Sequence, residues 1–164
     1  MYNFRIEMYL KIIFFICTFS LLFAYLIEYV LGHQPCNLCL IERIPYGLSI
    51  ILIIFNYIFK NHEKFILLLL IIIFVFSFAI SFYHFGIEQN FFKESSICGV
   101  KNAAEITTKE EVLKQLQKKI ISCKDVTFKI LGFSLTTINI LISLILIILI
   151  TKLFKNYEKF EKKG

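Results

Sequence analysis

The chain has 164 residues, 58% of them hydrophobic, with 19 Phe, no Trp and a mean hydropathy of +0.75. So little polar sequence cannot coat a soluble domain built around one core. The net charge of +6 and the pI near 9.0 do not indicate nucleic acid, because the lysines gather at the ends of apolar runs and in a charge-mixed loop, where membrane anchoring and orientation account for them.

Four apolar runs divide the chain: Ile12–Leu31, Leu40–Phe59, Phe65–Phe85 and Ile130–Ile150, of 20, 20, 21 and 21 residues. About 20 helical residues cross the hydrocarbon layer of a bilayer. None of the runs alternates with a period of two, so they read as helices, whose backbone groups are satisfied without a partner strand. The first run is too long for a cleaved signal peptide and no small-x-small site follows it, so it is expected to stay as an anchor. The expected fold is an all-α membrane protein: a four-transmembrane-helix bundle forming one domain over residues 1–164, with a short amphipathic helix in the second outer loop.

Between the runs lie a short outer turn (residues 32–39), a tight inner turn (60–64), a long outer loop (86–129) and a basic tail (151–164). A connection of that length is usually functional or flexible. Within it, Thr107-Thr108-Lys109-Glu110-Glu111 carries two overlapping Thr-x-x-Glu capping boxes. Val112, Leu113, Leu116, Ile120 and Ile121 follow at helical spacing, opposite Lys114, Lys118 and Lys119. This predicts an amphipathic helix from about Thr108 to Ile121, lying either on the headgroups or on the end of the bundle.

Lys and Arg number nine on each side of the membrane. Arg5 and Lys11 precede the first run and no cation directly follows it, which sets both termini on the cytoplasmic side. Four of the five cysteines then face the oxidising compartment, where disulfides persist.

Those four form two pairs. Cys36-Asn37-Leu38-Cys39 is a C-x-x-C at the start of the second span, and Cys98 and Cys123 are 25 residues apart in the long loop. A C-x-x-C lowers a thiol's pKa and speeds disulfide exchange. Zinc wants four ligands and one C-x-x-C supplies two, so a metal would need His33 or His84 to complete its site; no metal is expected. Cys98–Cys123 alone would read as a staple closing the loop, but beside a C-x-x-C on the same face it reads as the second half of an electron relay. Both pairs are expected to be oxidised at rest. Cys17, mid-span, reads as a small buried hydrophobe.

Glu42-Arg43 begins three residues after Cys39, where a charge needs water or a partner. Arg43 reads either as an interface anchor or as a hydrogen-bond donor to a small acceptor beside Cys39. His33 reads as a solvated loop residue in preference to a base for Cys36, and Glu28 as reaching water one turn below the interface. Asn56 and Asn139 are expected to hydrogen-bond between helices. The sequence has no phosphate loop, Ser/His/Asp arrangement or dinucleotide fingerprint, so a two-electron relay calls for a small acceptor that needs no motif. A lipid-soluble quinone suits such a place.

Pro35-Cys36-Asn37-Leu38-Cys39-Leu40-Ile41-Glu42-Arg43 resembles the P-C-x-x-C-x-x-E-R segment of the DsbB family of membrane disulfide-generating enzymes. Tyr83-His84-Phe85-Gly86-Ile87-Glu88 resembles the Y-H-x-G-x-E end of the third span in its shorter members. Ser122-Cys123-Lys124-Asp125, leading to Leu131-Gly132-Phe133-Ser134, resembles the entry to the fourth span. The resemblance implies a bacterial inner-membrane thiol–disulfide oxidoreductase with periplasmic cysteine loops. It reoxidises a DsbA-like periplasmic thiol oxidase and passes the electrons to ubiquinone or menaquinone. It also implies the roles: Cys98 is attacked by the partner, Cys123 is released and attacks Cys36, Cys39 faces the quinone, and Arg43 lies beside the quinone ring. Two other readings stand against it. One is a vitamin K epoxide reductase-like enzyme, in which the C-x-x-C lies near the last span. The other is a non-enzymatic membrane protein whose cysteines bind metal or staple the fold.

Overall fold

A computed structural model describes residues 2–59, 63–93, 98, 122–124, 129–130 and 132–161. The amphipathic helix expected between Thr108 and Ile121 lies outside the described residues. Four long helices carry the architecture: α1 (Tyr2–Tyr29), α2 (Asn37–Ile58), α3 (Glu63–Glu88) and α4 (Leu135–Glu161). Each contains an apolar stretch long enough to cross a membrane. The protein is a four-helix membrane bundle.

The helices outrun the apolar runs, and the reasons are local. Residues 2–29 contain neither Gly nor Pro, so α1 starts at Tyr2, ahead of Ile12. It ends where Gly32 takes a φ of +71°, and the His33 N–H returns to the Ile27 carbonyl at 3.2 Å, a glycine-dependent C-terminal stop. The fourth span was expected from Ile130. Instead, β1 (Lys129–Ile130) and β2 (Phe133–Ser134) pair antiparallel about Gly132, whose φ of +88° suits glycine. Ser134 then caps α4, its Oγ accepting the Thr137 N–H at 3.3 Å. At the other end, the tail read from sequence as a separate basic segment continues α4 to Glu161.

Packing is uneven around the bundle. α3 and α4 lie against each other over the greatest length, α2 packs on α3 and on α1, and α1 meets α4 at few points. Small polar residues permit the close α3–α4 approach: Ser77, Ser81 and Ser143 are fully buried, and the Ser77 and Ser143 hydroxyls are 3.2 Å apart. The membrane-embedded core gathers Leu10, Ile13 and Cys17 of α1 with Ile53 of α2, Leu67, Leu70 and Phe74 of α3, and Leu146 and Ile150 of α4. Cys17 is buried there as an apolar side chain, as its place in the run suggested. Phe15, Ile51 and Phe76 point outward, as lipid-facing residues do. Asn56 is buried, and its Oδ1 has no hydrogen-bond partner among the described residues.

α3 ends in a tight turn. Asn90 adopts a φ of 62°, and the Phe91 and Phe92 N–H groups both return to the Gly86 carbonyl, at 2.8 and 3.1 Å. Phe92 thereby folds over Gly86 and stacks on Tyr83, with ring centroids 5.7 Å apart. A Cβ on Gly86 would come within 2.1 Å of the Phe92 ring. Gly86→Ala should therefore destabilise this end of the bundle by about 1–3 kcal/mol through overpacking. Gly47→Ala, where a Cβ meets nothing within 4 Å, should be neutral or mildly stabilising. Unfolding midpoints of the two variants in one detergent check this; equal midpoints would refute it.

Candidate active site

The C-x-x-C sits where an extended turn enters α2. Cys36 is the N-cap of the helix, with extended backbone, and its Sγ accepts the Cys39 N–H at 3.3 Å. Sulfur here does the work of a capping oxygen, and the unpaired N–H groups of the first turn favour negative charge on it. The Cys36 and Cys39 sulfurs are 2.9 Å apart, as free thiols. Cys98 and Cys123 form a disulfide, both nearly fully buried. The loop pair is thus bonded in this structure and the C-x-x-C pair is not, its sulfurs lying side by side at the helix start.

A second source of order is His84. Its Nε2 lies 3.6 Å from Cys36 Sγ, and its Nδ1 lies 2.9 Å from Glu42 Oε1. Glu42 accepts through Oε2 from Asn139 Nδ2 at 2.9 Å. Asn139 also donates to the Ser81 hydroxyl at 2.8 Å, and its Oδ1 accepts from the Tyr46 hydroxyl. Thr136 donates to Glu88 Oε1 at 2.5 Å, and that oxygen is 3.9 Å from His84 Nε2. The result is a polar network across α2, α3 and α4 at the cysteine end of the bundle. His84, Glu42 and Thr136 are buried within it. Buried ionisable groups in a membrane bundle are costly unless paired in this way. With Glu42 accepting, Nδ1 carries a proton, and Nε2 is left to share a proton with the Cys36 sulfur.

The two cysteines of the motif look in different directions. Cys36 packs in one cluster with the Cys98–Cys123 disulfide, Leu38 and Ile87. Cys39, half-buried at the cluster's edge, lines a cavity of about 300 Å³. The cavity occupies the loosely packed seam between α1 and α4. Its walls are apolar, with Phe19, Phe23 and Ile27 from α1 and Leu135, Ile138 and Ile142 from α4. Glu42, Arg43, Tyr46 and Asn139 supply the polar points, and His33 and Pro35 contribute from the turn. An apolar cleft with a few convergent polar groups is the usual form of a site for a small, largely apolar molecule.

Arg43 is on the cavity wall, paired with Glu28 of α1 and placed over the Tyr25 ring at 5.1 Å. This gives Arg43 the partner that its depth calls for, and makes Glu28 an ion-pair partner instead of a residue reaching for water. His84 is the histidine whose ring nitrogen lies beside Cys36. The interhelical bond expected of Asn139 is present. Sequence reading had not joined His84 to Glu42 and Glu88, although two signals were there. Cys39, Glu42, Arg43 and Tyr46 fall on one stripe of α2, and His84 and Glu88 are one turn apart on α3.

The family model for disulfide bond formation protein DsbB matches residues 7–153. The chain belongs to the DsbB family. Uncharacterized protein RP370 of Rickettsia prowazekii (strain Madrid E) is similar to it, 32% identical over 127 residues that cover 76% of this chain and 74% of that protein. No solved structure matches the chain. Membership makes this DsbB-family chain a multi-pass membrane disulfide oxidoreductase concerned with disulfide bond formation.

The surroundings of Cys36 give it an acid thiol. The hydrogen bond from Cys39 is the largest cause; burial opposes it, and His84 adds to the lowering, bringing the Cys36 pKa down to about 4. A lowered pKa keeps the thiolate present as pH falls, so alkylation of reduced Cys36 should stay near its plateau from about pH 8 to about pH 6. An ordinary thiol would lose about tenfold in rate per pH unit over that interval. Iodoacetamide labelling resolved by peptide mass spectrometry checks this, and a tenfold fall per unit at Cys36 would contradict it.

Proposed function

We propose that this protein reoxidises a DsbA-like thiol oxidase in the periplasm and passes the electron pair to a membrane quinone. The observation that carries the reading is the divided orientation of the C-x-x-C: Cys36 packs with the loop disulfide, and Cys39 lines the apolar cavity. One thiol of the motif is thus next to a dithiol relay and the other next to a lipid-soluble acceptor. Membership of the DsbB family supports the same assignment.

In this reading a thiolate of the partner attacks Cys98, and the Cys98–Cys123 bond breaks to release Cys123. A second partner thiolate resolves the mixed disulfide, and the partner leaves oxidised. Cys123 attacks Cys36 of an oxidised C-x-x-C, the Cys36–Cys39 bond breaks, and Cys98 closes the loop disulfide again. The C-x-x-C now holds the two electrons and two protons taken from the partner. A quinone supplies the sink, taking two electrons and two protons while the Cys36–Cys39 bond re-forms.

The chain's own residues have definable parts. The helix N-terminus and His84 favour the thiolate of Cys36, which makes it the better leaving group when Cys98 displaces it from Cys123, and keeps it ionised for the step in which the Cys36–Cys39 bond re-forms. Arg43 is proposed to donate to the acceptor's oxygen from the cavity wall, leaving Glu28 or sharing it. The proposed site is in the outer half of an inner-membrane bundle with cytoplasmic termini.

Two measurements test the reading. Reduced DsbA-like protein mixed with this protein and a short-chain quinone should give quinol, and each of Cys36→Ser, Cys39→Ser, Cys98→Ser and Cys123→Ser should abolish it. Quinol formation that survives loss of the loop pair would remove the relay from the mechanism. Arg43→Ala should raise the apparent KM for quinone about tenfold, equivalent to about 1.4 kcal/mol, with single-turnover exchange between partner and loop disulfide unchanged. Equal losses in both steps would reduce Arg43 to an anchor.

A further inference from the structure

The reduced C-x-x-C has a third donor aimed at it. Cys36 Sγ, Cys39 Sγ and one ring nitrogen of His84 all lie within 4.8 Å of one another. The fit to a tetrahedral ion can be checked by geometry. Metal–sulfur and metal–nitrogen bonds of about 2.3 and about 2.05 Å at the tetrahedral angle put sulfur and nitrogen about 3.6 Å apart. Cys36 Sγ and His84 Nε2 are 3.6 Å apart. The same arithmetic separates two sulfurs by about 3.8 Å. Cys36 and Cys39, at 2.9 Å, would open slightly to accept an ion, by rotation of the half-buried Cys39.

The outer groups match a metal site as well. A ligating histidine commonly donates its other N–H to a carboxylate, which fixes the tautomer and the ring. His84 Nδ1 has that partner in Glu42 Oε1 at 2.9 Å, and Asn139 holds Glu42 in turn. A nearby acid is available for the fourth position. Glu88 Oε1 lies 3.9 Å from His84 Nε2, and Glu88 Oε2 is buried with no hydrogen-bond partner among the described residues. The cavity beside Cys39 reaches the turn at His33 and Pro35, which gives an ion a way in.

From this arrangement we infer that the reduced protein captures a zinc-class divalent ion on Cys36, Cys39 and His84, and that the ion holds the C-x-x-C out of the redox cycle. Binding replaces thiol protons, which pass to solvent, and leaves the cysteines reduced. Oxidation abolishes the site, because a Cys36–Cys39 bond removes both thiolates and leaves His84 as a lone donor. The ion is therefore an inhibitor selective for one redox state, and it exploits the histidine that serves Cys36 in the cycle. The inference rests on the redox role proposed for Cys36 and Cys39, but metal capture itself needs no quinone.

Cobalt(II) serves as the spectroscopic probe. Full-length protein carrying Cys98→Ser and Cys123→Ser, reduced and freed of reductant under anaerobic conditions in detergent, should bind one equivalent. It should show the sulfur-to-cobalt charge-transfer band and the visible bands of tetrahedral cobalt, which zinc then bleaches. The same protein oxidised at Cys36–Cys39 should show none. Glu42→Gln should weaken zinc binding about 10–100-fold, as loss of such a partner does, and His84→Ala by at least as much. No charge-transfer band, or unchanged affinity in His84→Ala, overturns the site. If that variant does not fold, zinc-edge X-ray absorption on the reduced protein with His84 intact decides: two sulfurs and an imidazole are expected, and sulfur without imidazole overturns it. Quinol formation by the metal-free protein in chelator is scored separately, so failure of the quinone reading leaves the metal result standing.

Discussion

The hydrogen bond between His84 and Glu42 holds the chemistry of this protein in place. It crosses from α3 to α2 inside a bundle end that admits little water, and its 2.9 Å length fixes which ring nitrogen is left for Cys36. Neither partner tolerates the site alone. A buried carboxylate without its histidine would stand unpaired, and breaking such a pair typically costs about 3–5 kcal/mol. The pair is further restrained by Asn139 and Thr136 from α4, so three helices must be correctly seated before the imidazole points at the sulfur. Fold and reactivity are thus coupled through one ring.

The lipid phase sets the second constraint. Helix association there gains little from the hydrophobic effect and depends on close packing and polar contacts. α3 and α4 meet through buried serines, and their tight contact makes a stable wall behind His84. α1 has few contacts with α4, and the cavity lies in that gap. Cys39 and Arg43 are on its wall, while Cys36 turns toward the loop disulfide. One uneven bundle therefore separates a tight side, which holds the polar network, from a loose side open to an apolar molecule.

Cys36 shows how a small change in local structure acquires chemical consequence. As an N-cap it has extended backbone, and its sulfur meets the first free N–H groups of α2. The preceding Pro35 suits the extended turn, since it fixes its own φ and keeps the chain out of helix ahead of the cap. Cys39, one turn on, has helical backbone and a different neighbourhood. Two chemically identical thiols three residues apart are thereby made unequal.

Much of this was legible in the residues alone. Run length specifies membrane-spanning helices, because bilayer thickness and helix rise leave few alternatives, and the four spans are where the runs lie. The two cysteine pairs stood out for the same kind of reason: a C-x-x-C has a local geometry that spacing alone dictates. Other features needed the folded chain. The start of α4 at Leu135 instead of Ile130 turned on a two-residue ladder about Gly132, which carries no hydropathy signal. Glu28 read as an acid near water until Arg43 was seen across the α1–α2 contact. His84 is 48 residues from Cys36, and Glu42 lies 97 residues from Asn139. Periodicity reports which residues share a face of one helix. Which faces meet, and hence which histidine reaches which sulfur, is decided by packing between helices, and that information is held in no single segment.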